Sequence, residues 1–204
     1  MEKIETNDPI IPNKSRKRVF FEFVWDLLKV ACISLAIIIP VRYFLIQPFY
    51  VKGASMEPNL YDHEYLIIDE ISYRFNGPER GDIVVFKYPL DQSQYFIKRV
   101  IGLPGEKVEV KDGMIYIYST DQEGTARKYV LNETGYLDPS IKTYGNHAFT
   151  LAADEYFMLG DNRTQSLDSR TFGPVYRDLI MGKVWLRGWP FNRAMVFSEV
   201  EYGF

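Results

Sequence analysis

The chain has 204 residues, enough for one domain or at most two. A formal net charge of −3 excludes the strongly basic balance of a nucleic-acid binder. A hydrophobic share of 47% suits a globular core plus further apolar sequence, and the single cysteine, Cys32, excludes an internal disulfide and leaves the compartment open.

Residues 1–18 are polar and end in KSRKR, with Lys14, Arg16, Lys17 and Arg18 clustered. From Leu27 to Ile46 follow about twenty mostly apolar residues, the length that spans a bilayer as a helix. Lys29 and Arg42 leave only Val30 to Val41 free of charge, and both can snorkel toward opposite headgroup layers. Pro40 is expected to kink the helix or end it early. A buried core helix carries charge-free runs of similar length. A cleaved signal peptide has the same basic start, but here Arg42 and bulky aromatics stand where small residues would precede a cut. An amphipathic surface helix would need a polar face, which Val30 to Ile39 lack. The expectation is a membrane anchor over residues 19–46. The basic cluster before it places the tail 1–18 in the cytoplasm and residues 47–204 on the outer face.

Beyond residue 47 the pattern is mainly β. FYVKGASM can run as an extended edge that puts Phe49, Val51, Gly53 and Ser55 on one face. DIVVFKY (82–88), YFIKRVI (95–101) and KVEVKDGMIYIY (107–118) are rich in β-branched and aromatic residues, and Asp112-Gly113 is a two-residue hairpin signal. EYFMLGD (155–161) and GKVWLRGW (182–189) read as further strands. The polar, turn-rich residues 119–150 suit an inserted lobe or a long loop on the β domain, and an inserted β lobe at about 112–150 is expected. The expected architecture is a compact antiparallel β domain over 47–204 carrying that lobe, preceded by one transmembrane helix.

Three segments hold chemistry-bearing residues. In VKGASMEPNL, Ser55 is either a turn residue before Pro58 or a nucleophile beside a groove for an extended peptide. No histidine motif accompanies it, so a base would have to come from elsewhere. In YFIKRVIGLPG, Lys98 interrupts an apolar strand: it either snorkels to solvent or, desolvated among its neighbours, loses its charge and becomes a general base. In LGDNRTQSLDSRTFGPV, the Asp, Asn and Gly content fits plain turns. The alternation of Asp161, Arg163, Asp168 and Arg170 equally fits a buried charge network. The spacing does not match a calcium loop, because Arg163 occupies the third position. There is no P-loop, dinucleotide glycine fingerprint, Cys/His zinc spacing or HExxH, so no cofactor and no metal is expected.

Taken together and in order, GASMEPNL, IKRVIGLPGEKVEV and GDNRTQSLDSRTFGPV resemble the signature segments of bacterial type I signal peptidases, also called leader peptidases. The likeness extends over nearly the whole chain after residue 18. It implies a membrane-bound serine endopeptidase that removes signal peptides from exported preproteins through a Ser–Lys dyad. By that resemblance Ser55 is the nucleophile and Lys98 its base. Ser166 would hydrogen-bond and orient the lysine, and Asp161, Asp168 and Arg170 would brace the site. Phe49, Val51, Leu60 and Ile97 would line shallow pockets for small substrate side chains, and Ser55 N–H would contribute to the oxyanion hole. The implied partners are signal-peptide-bearing preproteins and the lipid bilayer, in proximity to the secretion translocon, with no nucleic acid. Two departures stand out. Gly53 replaces a serine that in some members completes the oxyanion hole, and Thr164-Gln165 replaces a frequent Asp-Asn. Self-cleaving repressor-type proteases share the dyad but carry a DNA-binding domain where this chain has an apolar segment. A non-catalytic, membrane-anchored β module is the alternative of another class.

Overall fold

The computed structural model describes residues 16–44, 47–120, 124–200 and 202. Lys14 and the polar tail before it, and Leu45 and Ile46 at the end of the expected anchor, lie outside them. Two compact units divide the chain between Arg42 and Tyr43.

The first unit is a helix, α1 (Arg16–Phe44), which runs on past Pro40 rather than ending there. Among the described residues, no helix is long and apolar enough to cross a membrane. Charged pairs lie along it, Arg18 with Glu22 at 3.4 Å and Lys29 with Asp26 at 3.2 Å. Yet its large apolar side chains, including Phe20, Phe21, Trp25, Ile33 and Ile38, are all exposed.

The second unit is mainly β, with two antiparallel sheets. Its strands are β1 (Gln47–Tyr50), β2 (Tyr65–Asp69), β3 (Ile83–Tyr88), β4 (Asp91–Gly102), β5 (Lys107–Lys111), β6 (Met114–Thr120), β7 (Ala126–Val130), β8 (His147–Thr150), β9 (Glu155–Leu159), β10 (Val175–Tyr176), β11 (Ile180–Trp189) and β12 (Met195–Val196). Two single-turn helices, α2 (Ser72–Phe75) and α3 (Ser169–Phe172), interrupt them. The larger sheet has eight strands in the order β1-β2-β11-β3-β4-β9-β10, with β12 beside β11. The smaller runs β7-β6-β5-β8, so its first strand begins at Lys107, ahead of the hairpin turn.

The strand signals explain these positions. The unbroken apolar run of β3 is buried on both faces: Ile83 and Val85 enter one core cluster, Val84 and Phe86 another. The Asp112-Gly113 turn joins β5 to β6 with both residues at positive φ, +55° and +79°, the conformation its twist demands. β4 is longer than its sequence pattern indicated. Residues 91–98 pair with β3, whereas β9 joins its other edge only from Arg99 onward. One edge of β4 therefore stays open just before and at Lys98. The register Lys98↔Val84 and Ile97↔Val85 fixes which side chains face which way there.

Candidate active site

The catalytic segment leaves β1 by a sharp break in direction. Phe49 and Val51 point inward as alternation requires, but Gly53 takes φ +90° and ends the extended run. Ser55 therefore sits on a turn rather than on the strand face shared with Phe49 and Val51. The Gly53 N–H donates to Asp62 Oδ1 at 3.0 Å, which ties this loop to the turn before β2.

Lys98, only 4% exposed, reaches this turn from β4. Its Nζ lies 2.8 Å from Ser55 Oγ and donates to the Ile97 carbonyl at 2.8 Å. Burial pushes the amine down to about 8, against the raising pull of Asp168 and Asp161. A buried amine with this depressed proton affinity can accept a proton near neutral pH, and the hydroxyl beside it is placed to give one. His63 pairs with Asp62, Nδ1 to Oδ2 at 2.8 Å, and His147 stacks on Phe149, so both histidines are engaged away from the serine.

The two residues open onto a groove of about 610 Å³. Phe49, Val51 and Gly53 line one wall and Tyr95 and Ile97 the other, with Leu167 beside the dyad. The Phe49 and Tyr95 rings meet edge-on with centroids 5.9 Å apart, although β1 and β4 are far apart in the sheet order. Leu60, expected in a pocket, is instead fully buried. It packs with Met56, Leu66 and Val184 in the core behind the groove. The apolar character that suggested a pocket serves to hold the Ser55 turn down.

Two buried carboxylates brace the surroundings, each in a two-point grip with an arginine. Asp161 accepts from Arg99 Nε at 2.8 Å and Nη2 at 2.7 Å, and from Asn59 Nδ2 at 2.8 Å. Arg99 also lies over the Tyr136 ring at 3.9 Å. Asp168 accepts from Arg170 Nε and Nη2, both at 2.8 Å, and from the Gly160 N–H at 3.2 Å. Arg163, whose own carboxylate partner is Glu133, donates through Nε to the Gly160 carbonyl at 3.0 Å. Gly160 is thus clamped at both its N–H and its C=O.

Ser166 packs against this glycine, but its hydroxyl is buried without a hydrogen-bond partner. The expected bond from Lys98 to Ser166 is not formed; Nζ instead meets Ser55 Oγ and the Ile97 carbonyl. Among the described residues, no cluster of His, Cys, Asp or Glu could hold a metal ion.

Sequence reasoning passed over Arg99, Asn59, Gly160 and Asn162. Only Arg99 carried a usable signal: an arginine inside an otherwise apolar strand needs a carboxylate, and Asp161 was available. Removing that carboxylate with Asp161→Ala leaves a buried, unpaired guanidinium. A loss of about 3–5 kcal/mol in unfolding free energy is expected, measured by denaturant titration. A loss under about 1 kcal/mol would mean that Arg99 escapes to water.

Residues 24–189 match the family model described as "Signal peptidase, peptidase S26". The chain is 36% identical to the probable signal peptidase I-2 of Synechocystis over 87% of its length and 79% of that protein. It is 35% identical to signal peptidase IB of Staphylococcus aureus, covering 84% of this chain and 90% of that one. A solved signal peptidase I from Enterococcus faecalis aligns at 31% identity over 53% of this chain and 97% of that one, with a TM-score of 0.41, too low to bear on the fold.

Proposed function

The chain belongs to the type I signal peptidases of the S26 family, and from that premise we propose how its residues carry out the reaction. It is a serine endopeptidase that removes signal peptides, and its substrates are signal-peptide-bearing preproteins. The observation that supports the dyad most directly is the 2.8 Å separation of Lys98 Nζ and Ser55 Oγ inside the groove.

The substrate segment before the scissile bond enters as an extended strand between residues 49–53 and the open edge of β4 at 94–98. Backbone hydrogen bonding along such edges supplies affinity, while alternate side chains meet pockets that supply selectivity. Phe49, Val51 and Ile97 keep those pockets shallow and apolar, so small residues fit. Ser55 Oγ attacks the scissile carbonyl while neutral Lys98 takes its proton. The developing oxyanion accepts from Ser55 N–H. On collapse, the C–N bond breaks, the leaving amine takes the proton from Lys98, and an ester to Ser55 remains. Water, deprotonated by the same lysine, then attacks the ester; the C–O bond to Ser55 breaks, Ser55 Oγ takes the proton back from Lys98, and the acid leaves. Ser166 is the proposed guide of the lysine, because its buried, unpartnered hydroxyl is available to accept from the amine once Ser55 Oγ has reacted. Asp161, Asp168 and Arg170 hold the floor of the site.

The exposed apolar side chains of α1 suit lipid rather than water, which supports membrane attachment through residues 19–46. Arg16, Lys17 and Arg18 at its start favour a cytoplasmic N-terminus and a catalytic domain on the outer face.

Incubating the full chain in detergent with a labelled preprotein tests this reading. Wild type should release the signal peptide after Ala at the last position with a small residue two before it. Ser55→Ala should release none, and Leu or Phe at the last position should block the cut. Wild-type processing by Ser55→Ala would place the nucleophile elsewhere.

A further inference from the structure

Asn162 holds the peptide units on both sides of Ser55. Its Nδ2 donates to the Ala54 carbonyl at 3.1 Å, and its backbone N–H donates to the Ser55 carbonyl, also at 3.1 Å. Both of these units are trans: among the described residues the cis peptides are Glu57-Pro58 and Trp189-Pro190. In a planar trans peptide the C=O and N–H point opposite ways. Gripping Ala54 C=O therefore aims Ser55 N–H away from Asn162, and gripping Ser55 C=O does the same for Met56 N–H. Among the described residues neither N–H has a partner. Met56 is buried and Ser55 half-buried, so two adjacent unpaired donors beside a reactive hydroxyl mark a place for an acceptor that arrives with the substrate.

We infer that Asn162 is a positioning residue for the oxyanion: its side-chain amide sets the direction of Ser55 N–H before substrate binds. The inference rests on the Ser55–Lys98 reading given above. A donor already aimed where negative charge develops stabilises the transition state without reorganising; a peptide free to rock does not. The amide's two ends do different work. Oδ1 accepts from Thr164 Oγ1 at 3.1 Å and from Gln165 N–H at 3.2 Å, closing the turn in which Asn162 sits. Nδ2 alone reaches across to the Ser55 segment.

That division separates a role in catalysis from a role in the turn. Asn162→Asp keeps the accepting oxygen and loses the donating nitrogen; Asn162→Ala loses both. Using the full chain in detergent and a peptide substrate at the high-pH plateau, both variants should lose about ten- to a hundredfold in kcat, with KM within about twofold of wild type. The plateau keeps the aspartate's added charge from acting through Lys98 protonation. A peptide aldehyde, whose hemiacetal with Ser55 mimics the tetrahedral intermediate, should bind more weakly by a similar factor. The acid limb of Asn162→Ala should stay where wild type has it, since Lys98 is untouched. Wild-type kcat in Asn162→Asp, or a loss confined to KM, would overturn the inference. Should Asn162→Ala fail to fold, the aspartate variant decides alone. Ser55→Ala run in parallel separates the two claims. If it still cleaves, the dyad reading fails; if it is inactive while Asn162→Asp is normal, only the role of Asn162 fails.

Discussion

Lys98→Arg is expected to lower kcat by about a hundredfold to ten-thousandfold, the usual contribution of a positioned general base, with the fold intact. Arginine keeps the positive charge and much of the stem, so a merely structural lysine would tolerate it. A base would not, because the guanidinium does not release its proton in the working range. The pH profile of wild type makes the same point. Burial lowers the Lys98 amine to about 8, so at that pH about half of it is neutral, against under about 1% for an ordinary lysine. Below the midpoint each pH unit removes about nine-tenths of the remaining neutral form. The rate of peptide cleavage should therefore rise with pH, with a limb near 8, and level off above it. A flat profile from pH 6 to 9, or wild-type kcat in Lys98→Arg, would exclude Lys98 as the base.

Gly160→Ala should be nearly as damaging, although the change adds one methyl group far from any expected chemistry. A Cβ at 160 would lie 2.1 Å from Ser166 Oγ and 2.5 Å from the Ser55 carbonyl oxygen. The Ser166 hydroxyl can rotate aside, although its Cβ, 2.5 Å away, is fixed by its own backbone. The Ser55 carbonyl cannot, since it is backbone and is held by Asn162 N–H at 3.1 Å. Gly160 cannot retreat either, gripped by Asp168 at its N–H and by Arg163 at its C=O. The strain is relieved only by moving the Ser55 turn, and a displacement of about 1 Å at a reacting atom costs about a hundredfold in rate. Adding Ser166→Ala removes the hydroxyl clash but keeps the Cβ and the Ser55 carbonyl in place, so the double variant should recover nothing. Measured kcat decides it: normal turnover in Gly160→Ala would mean that the turn shifts freely without disturbing the dyad. The packing itself should cost about 1–3 kcal/mol of stability.

Gly160 also shows what a linear pattern hides. Inside LGDNR it looks like a turn glycine chosen for conformational freedom, yet its φ is not among the positive ones. Its requirement is space, and the atoms that claim that space belong to residues 55 and 166. Ser166 shows the opposite case. Its type and place in the motif were legible, but the structure leaves its hydroxyl unpartnered while Nζ meets Ser55 Oγ and the Ile97 carbonyl.

The sequence alone determined what acts over a few residues. An unbroken run of β-branched and aromatic side chains produced β3, and the Asp112-Gly113 pair set the β5–β6 hairpin, since each depends only on backbone conformation and neighbouring side chains. The motif order was likewise enough to recognise the family. Tertiary structure decided which distant groups meet. Lys98 and Ser55 are 43 positions apart, Arg99 and Asp161 are 62 apart, and Arg163 finds Glu133, in the β7–β8 connection of the smaller sheet, across 30 positions. A buried charge must find a partner somewhere, but the choice depends on how the sheets close, which no local pattern encodes. The same closure turned Leu60 into core and brought β1 opposite the open edge of β4. That leaves a groove where the order of strands along the sheet places them far apart.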